Sequence, residues 1–201
     1  DIHDEVLFVM KRNDNIAKHI HLPAQSGNTR ILDKMNRTYS REWYEMKYNR
    51  IKEILPGCSV SCDIITGFCS ETEDEHKDTL DLLVKCPFEF SYMYFYSERP
   101  GTLAARKYED DIPEETKKRR LSEVISIQHD VAKKLNKAQE GEVHRVLIEM
   151  QSKKNENEWM GRNEQNIKVI FPKDSYQMGD FVDVLIESCT TTSLIGRGLT
   201  Q

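Results

Sequence analysis

The sequence predicts an α/β chain in two parts: parallel βα units over residues 1–138, then a small closed all-β barrel of OB-like type over 139–201. Three observations predict it. Helical and strand patterns alternate as far as Ala138, which suits parallel βα units and neither a helical bundle nor a sandwich. At Gly141 the apolar pattern changes from the helical to the strand period. The remaining residues hold five short apolar runs with polar turns between them, the strand spacing of a small barrel.

The chain opens inside a helical pattern carrying Val6, Leu7, Phe8 and Met10, and without an initiator Met, so it is expected to be part of a longer protein. Residues 16–22 (IAKHIHL) read as a short strand entering the loop Pro23-Ala24-Gln25-Ser26-Gly27. A short helix with Ile31, Leu32 and Met35 follows. Ser40 caps a longer one whose Tyr44, Tyr48, Ile51 and Leu55 share a face, and Pro56-Gly57 stops it. The second strand is 58–66 (CSVSCDIIT), ending at Gly67.

Thr72 and Glu75 form a capping box, in which the Thr hydroxyl takes the third amide and the Glu reaches back to the Thr amide. The helix they start is expected to bury His76, Leu80, Leu83 and Val84, and Pro87 closes it. The aromatic run 90–96 (FSYMYFY) is the third strand. A turn at 97–102 precedes a long helix from near Pro113, with Leu121, Val124, Ile125, Gln128, Val131 and Leu135 on its apolar stripe. The barrel strands are expected at 143–150, 159–161, 167–171, 181–187 and 193–199.

With 29 Lys plus Arg against 34 Asp plus Glu, a net of −5, a uniformly basic nucleic-acid surface is excluded and any RNA site must be local. No apolar run reaches the roughly 18 residues that span a bilayer, and the opening Asp1-Ile2-His3-Asp4-Glu5 lacks the form of a signal peptide. The cytoplasm is the expected compartment. Five cysteines (Cys58, Cys62, Cys69, Cys86, Cys189) contain no CxxC pair, and Cys62 alternates with Val60 and Ile64 as a strand neighbour does. That pattern favours reduced, core-packed thiols over disulfides or metal ligands.

Parallel α/β folds bind ligands at the carboxyl ends of their strands, so three loops stand out: 21–27, 63–71 and 96–102. Each sets a Gly beside side chains that read hydroxyls or an amino-acid group, which suits a nucleoside-like cofactor. Each alone also reads as a tight turn.

The stretches HIHLPAQSGNTRILDKMNRTYSREWY (19–44), DIITGFCSETEDEH (63–76) and YSERPGT (96–102) resemble the radical S-adenosylmethionine methylthiotransferases. HLPAQSG with MNRTYSREWY is closer to the MiaB type than to the ribosomal-protein type RimO. The resemblance continues through DDIPEETKKRRL into GRNEQNIKVIF, which is similar to the TRAM domain ending those enzymes, and covers essentially the whole chain. It implies a partial open, TIM-like β/α barrel of the radical SAM type, residues 1–138, followed by a TRAM barrel, 139–201. Cys69-Ser70-Glu71 stands where the family commonly has Pro-Gly-Glu. The CxxxCxxC loop and the three N-terminal cysteines that bind two 4Fe–4S clusters have no counterpart here, so this stretch alone is expected to be inactive.

The resemblance implies radical chemistry at C2 of N6-isopentenyladenosine beside the tRNA anticodon. A cluster-reduced S-adenosylmethionine would yield the radical that removes hydrogen, and sulfur and a methyl group would follow. A flavodoxin or ferredoxin would supply electrons. Gln25 and Ser26 are then expected at the ribose or amino-acid end of S-adenosylmethionine, Asp63, Ile65 and Gly67 at the adenosyl group, and Tyr96 and Ser97 near adenine. Arg37 either forks onto the cofactor carboxylate or braces its loop by an ion pair, the two readings standing equal.

His19 and His21 alternate on one strand and read more readily as a structural pair than as metal ligands. Of Tyr92, Tyr94 and Tyr96, at least two are expected in the core. In the barrel, seven basic residues face ten acidic ones from residue 140 onward, a net of −3. RNA contacts are therefore expected at Lys153, Lys154, Arg162 and Asn163, with Trp159 free to stack or else part of the core. The run Lys117-Lys118-Arg119-Arg120, balanced by Asp110, Asp111, Glu114 and Glu115, is expected to be a solvated helix face. Two other readings remain open: an RNA-binding protein without redox chemistry, and the related threonylcarbamoyladenosine methylthiotransferase.

Overall fold

The computed structural model describes residues 2–199. It contains helices α1 (Asp4–Arg12), α2 (Thr29–Lys34), α3 (Arg41–Ile54), α4 (Glu73–Lys85), α5 (Leu103–Lys107) and α6 (Glu114–Lys137). Three strands, β1 (His19–His21), β2 (Ser59–Thr66) and β3 (Phe90–Phe95), form a sheet in the order β1-β2-β3. Five more, β4 (Val143–Gln151), β5 (Glu158–Asn163), β6 (Lys168–Pro172), β7 (Phe181–Cys189) and β8 (Leu194–Gly198), close into a barrel ordered β4-β5-β6-β8-β7. The chain divides into two compact units: His21–Glu53 with Val60–Val131, and Asp1–Ile20, Ile54–Ser59 and Ala132–Gln201.

In the first unit β2 and β3 run parallel, with Asp63 opposite Tyr92 and Ile65 opposite Tyr94. Alternation sends Val60, Cys62 and Ile64 into the core, where Tyr44, Tyr48, Ile51, Leu82, Leu83 and Phe88 are also buried. The Phe88 ring stands edge-on to Tyr48 at 5.6 Å, and the Tyr48 hydroxyl donates to the Pro87 carbonyl at 2.7 Å. Burying such side chains, at about 25 cal/mol per Å² of apolar surface, drives the assembly of this unit. Every cysteine is a free thiol, and burial pushes Cys62 and Cys86 up to about 12, so both are un-ionised near neutrality.

Several expected elements come out differently. The first strand is three residues rather than seven, because the Lys18 ammonium donates to the carbonyls of Met10, Asn13 and Ile16, folding the preceding chain onto the end of α1. The α4 face is His76, Thr79, Leu82 and Leu83, while Val84 points to solvent, one residue being about 100° of helical rotation past Leu83. The capping box at Thr72 and Glu75 forms as expected. The α5 helix appears beyond the expected turn, started by the Thr102 hydroxyl accepting from the Ala105 amide.

The aromatic strand overturns the expectation for its tyrosines: Tyr92 and Tyr94 are 49% and 55% exposed. Alternation gives the core face of β3 to Ser91, whose hydroxyl donates to Gln128 on α6 at 3.0 Å, and leaves Phe90, Tyr92 and Tyr94 on the open face. On α6 the buried residues are Lys117, Arg120, Val124, Gln128, Ala132 and Asn136, so of the expected apolar stripe Val124 and Gln128 are buried while Leu121, Ile125, Val131 and Leu135 are half-buried beside it.

The barrel core is Val146, Ile148, Val169, Phe171, Val182, Val184, Ile186 and Leu194. Gly161 and Gly196 let strands approach closely, since a Cβ on either would sit within 2.3 Å and 2.1 Å of the Leu147 and Leu185 carbonyl oxygens. In the same unit the Asn136 amide donates to the carbonyls of Thr190 and Thr191, and the Ser59 hydroxyl to that of Gln165 at 2.6 Å. No described helix is long and apolar enough to cross a membrane.

Candidate functional site

The loop after β1 is held through its backbone. The Gln25 amide donates to Asp63 O at 2.7 Å, and the Ile65 amide donates to Gln25 O at 2.9 Å. This brings Gln25 beside Asp63 and Ile65, with Gln25 in the left-handed region at φ 66° and its side chain buried. The Tyr44 hydroxyl donates to Leu22 O and the Tyr39 hydroxyl to Pro23 O. Downstream, the Gly27 amide donates to the Thr79 hydroxyl at 2.9 Å, and Arg41 donates to the carbonyls of Gly27 and Asp78. Ser26 is buried, its hydroxyl 3.5 Å from that of Thr79 and accepting from the Asn28 amide. Arg37 is exposed and makes no ion pair among the described residues.

Beside that loop lies the open face of the sheet, carrying His21, Asp63, Ile65, Tyr92 and Tyr94. His21 Nδ1 is 2.9 Å from the Ser61 hydroxyl, its Nε2 is 3.5 Å from the Asp63 carboxylate, and its ring stands edge-on to Tyr92. The two histidines are thus each held by a β2 serine, His19 by Ser59 at 2.7 Å. Among the described residues no group of three or more His, Cys, Asp or Glu is arranged to hold a metal ion.

The turn leaving β2 is built around Gly67, at φ 68°, whose amide donates to the Glu71 carboxylate at 2.7 Å. Arg120 donates to the same carboxylate at 2.9 Å and to the Glu71 carbonyl at 3.1 Å, and both side chains are almost wholly buried. The Lys117 stem fills the space where a Gly67 Cβ would stand, and its ammonium reaches Asp110 and lies 5.3 Å from the Tyr96 ring centre. Tyr96 stacks edge-on against Phe68 at 4.8 Å, and burial pushes its phenol up to about 12. Ser97 is exposed beyond the end of β3.

The expectation of a solvated basic run therefore needs correction. Lys117 and Arg120 point inward and are ion-paired, while Lys118 and Arg119 lie outward on exposed pairs with Glu114, Glu73 and Glu123. The three helical steps from Lys117 to Arg120 cover about 300° of rotation, which returns Arg120 to the face of Lys117 and turns Lys118 and Arg119 away from it. Tyr39, Arg41, Glu71, Lys117 and Arg120 escape the sequence reading as site-forming residues. Only the helical spacing of Lys117 and Arg120 with Val124 hinted at an inward role.

In the barrel, Lys153 and Lys154 are exposed on the β4–β5 turn. Trp159 packs against the core, its indole N–H donating to Tyr176 O at 3.2 Å and the Lys173 ammonium lying 4.7 Å from the ring. Arg162 is half-buried, donating to Glu149 and to the Asn166 carbonyl. Asn163 is buried, with its side chain engaged by His144 and the Ile167 amide.

Comparison with known proteins assigns both regions of the chain. Residues 1–83 match the radical SAM superfamily, and residues 137–199 match the TRAM domain. The chain is 52% identical over 202 residues to the tRNA-2-methylthio-N(6)-dimethylallyladenosine synthase of Amoebophilus asiaticus, covering 100% of this chain and 42% of that protein. The identically named protein of Flavobacterium johnsoniae is 49% identical over 99% of the chain and 41% of its own length. That of Bacteroides fragilis is 44% identical over 98% and 43%. Among solved structures, the radical SAM enzyme coproporphyrinogen III oxidase (HemN) of Escherichia coli superposes with a TM-score of 0.55 at 19% identity, over 82% of this chain and 44% of that one. The parallel sheet with its helices is accordingly of the radical SAM type, a superfamily that uses S-adenosylmethionine and 4Fe–4S clusters, and the closed barrel is a TRAM domain. The chain spans about two fifths of the length of the curated relatives it matches, and it belongs to the MiaB-type radical S-adenosylmethionine methylthiotransferases.

Proposed function

We propose that this chain supplies part of the cofactor site and the RNA-binding module of a tRNA methylthiotransferase, which converts N6-isopentenyladenosine beside the anticodon to its 2-methylthio form. The observation that carries this reading is the likeness along the whole chain, at 44–52% identity, to synthases of that name. The division at residues 138 and 139 separates the later part of the radical SAM domain from the TRAM domain in this reading.

The residues fit S-adenosylmethionine. Asp63 offers a half-buried carboxylate on an open face, Ile65 an apolar neighbour, and the turn at Gly67 a backbone without a Cβ, at a strand end where ligands sit in parallel sheets. When bound, S-adenosylmethionine supplies the adenosyl radical and the methyl group. Gln25 and Asp63 would orient its polar end, with Ser26 holding the loop against α4 and Arg37 facing the cofactor carboxylate. Ile65, Gly67, Tyr96 and Ser97 would border the adenine and exclude water. The residues here do not fit a 4Fe–4S cluster: four of the five cysteines are buried and none joins a ligand cluster among the described residues. The two clusters and the flavodoxin- or ferredoxin-type donor belong to the reading of the complete, cytoplasmic enzyme.

Replacing Gln25 and Asp63 by Ala and Asn in the complete, cluster-loaded protein is expected to weaken S-adenosylmethionine binding about tenfold, through lost hydrogen bonds to a charged ligand, with tRNA affinity intact. Equilibrium dialysis reads both. Unchanged cofactor affinity, or equal loss of both ligands, would overturn the assignment. Lys153, Lys154, Arg162, Asn163 and Trp159 are proposed to serve tRNA, Asn163 and Trp159 by shaping the turns. Changing Lys153, Lys154 and Arg162 together to Ala should weaken tRNA binding and flatten its salt dependence by about two units of slope. A salt titration indistinguishable from the parent's would remove these residues from the interface.

A further inference from the structure

The outer surface of the barrel carries a row of side chains that crosses four adjacent strands. The inward positions of β4 and β7 are Val146, Ile148, Val182 and Val184, so their neighbours in sequence face out. Cross-strand register then aligns Phe181 of β7 with Leu147 of β4, Leu147 with Arg162 of β5, and Arg162 with Lys168 of β6. Arg145, the next outward residue on β4, holds its guanidinium 4.9 Å from the centre of the Phe181 ring. That ring is 60% exposed, so the contact orders an aromatic face at the surface without burying it.

The charge of this row differs from that of its domain. Residues from 140 onward carry a net of −3, yet the row gathers three of their seven cations, Arg145, Arg162 and Lys168. The acids beside them are Asp183, opposite Arg145, and Glu149, 3.3 Å from Arg162. Apolar surface here is Phe181, the half-buried Leu147 and, beyond Arg145 on β4, the exposed Val143, too little for a protein dock of ordinary size. An exposed, cation-flanked ring leading into two further cations is the arrangement that single-stranded nucleic acid uses, with bases on π-faces and phosphates on Lys and Arg. Three inter-strand steps of about 4.8 Å make the row roughly 14 Å long, the length of a few nucleotides.

We propose that Phe181, Arg145, Leu147, Arg162 and Lys168 form the track on which this TRAM barrel holds single-stranded RNA, a base stacking on Phe181 and the backbone running toward Lys168. This rests on the tRNA-modifying reading above and extends its RNA surface from Arg162 across β4 to β7.

The test uses the complete protein with an isopentenylated anticodon stem-loop and, as a second probe, a blunt RNA duplex. Phe181→Ala is expected to raise the stem-loop Kd about tenfold at constant salt slope, and Phe181→Trp to restore it, with melting temperatures unchanged because the ring is on the surface. Lys168→Gln should instead reduce the slope of log Kd against log salt by about 0.7, the value for one phosphate on a single strand. Duplex affinity should not move with Phe181. Stem-loop affinity indifferent to Phe181→Ala in a protein that binds the stem-loop would overturn the track alone. A parent protein that binds no stem-loop would overturn the tRNA reading with it.

Discussion

Arg120→Met should lower the stability of the sheet unit by about 3–5 kcal/mol, because it strands a carboxylate in the core. Glu71 is 3% exposed and Arg120 is 4% exposed, and the remaining partner of the carboxylate would be the Gly67 amide. Glu71→Gln combined with Arg120→Met should recover most of the loss, since a neutral amide can keep the Gly67 contact with no charge to desolvate. Burial already raises the Glu71 pKa above the ordinary carboxylate value, against the pull of the Gly67 amide and the Arg120 guanidinium. Without the guanidinium it rises further. The folded Arg120→Met protein then binds a proton more tightly than its unfolded chain, so its stability falls as pH rises through the folded value and returns as pH is lowered from 7 toward 5. Urea melts of the two variants across that range test the argument. Equal stability of Arg120→Met and parent, or a double variant no better than the single one, would show that the pair does not carry the turn. The consequence for function is local: Gly67 is held by Glu71, so the lost pair frees the turn proposed to border the adenosyl group.

This pair also shows where reading the chain stopped. The caps and barrel were legible because their determinants are local or periodic: Thr72 and Glu75 lie three residues apart, and the barrel core alternates along each strand. Arg120 and Glu71 are separated by 49 positions, and within the run Lys117 to Arg120 only the helical spacing to Val124 sets the two inward cations apart from the two outward ones. The strand tyrosines misled for a related reason. Aromatic residues predict a strand correctly through propensity, but propensity is silent on which face is covered, and here the core took Ser91 while Tyr92 and Tyr94 stayed open. The loop residues Gln25 and Asp63 were legible as strand-end polar groups. The residues that hold the loop on either side of Gln25, Tyr39 at Pro23 and Arg41 and Thr79 at Gly27, come from other elements and carry no mark of that role in their own sequence context.

Gly27→Ala should cost about 3 kcal/mol and displace as a unit the loop proposed to hold the cofactor. A methyl there would meet the Asp78 carbonyl oxygen at 2.4 Å and the Thr79 Cα at 2.5 Å, both backbone atoms of α4 that no rotamer change can remove. The helix cannot easily yield. Its start is fixed by the capping box and its face by Leu82 and Leu83 in the core. The loop must therefore move, breaking the Gly27 amide bond to Thr79 and the Arg41 bond to the Gly27 carbonyl. Gln25, two residues upstream and bonded through both amide and carbonyl to β2, would shift against Asp63 and Ile65. S-adenosylmethionine affinity should fall at least tenfold, with tRNA binding by the barrel unchanged, since positioning rather than contact chemistry is lost. Gly57→Ala is the matched control: nothing lies within 4 Å of its added methyl, and stability should stay within about 0.5 kcal/mol of the parent. Denaturation midpoints and cofactor dialysis on the two variants separate the effects. A Gly27→Ala protein as stable as the Gly57→Ala one would mean that α4 and the loop are not in the close contact that the proposed cofactor site requires.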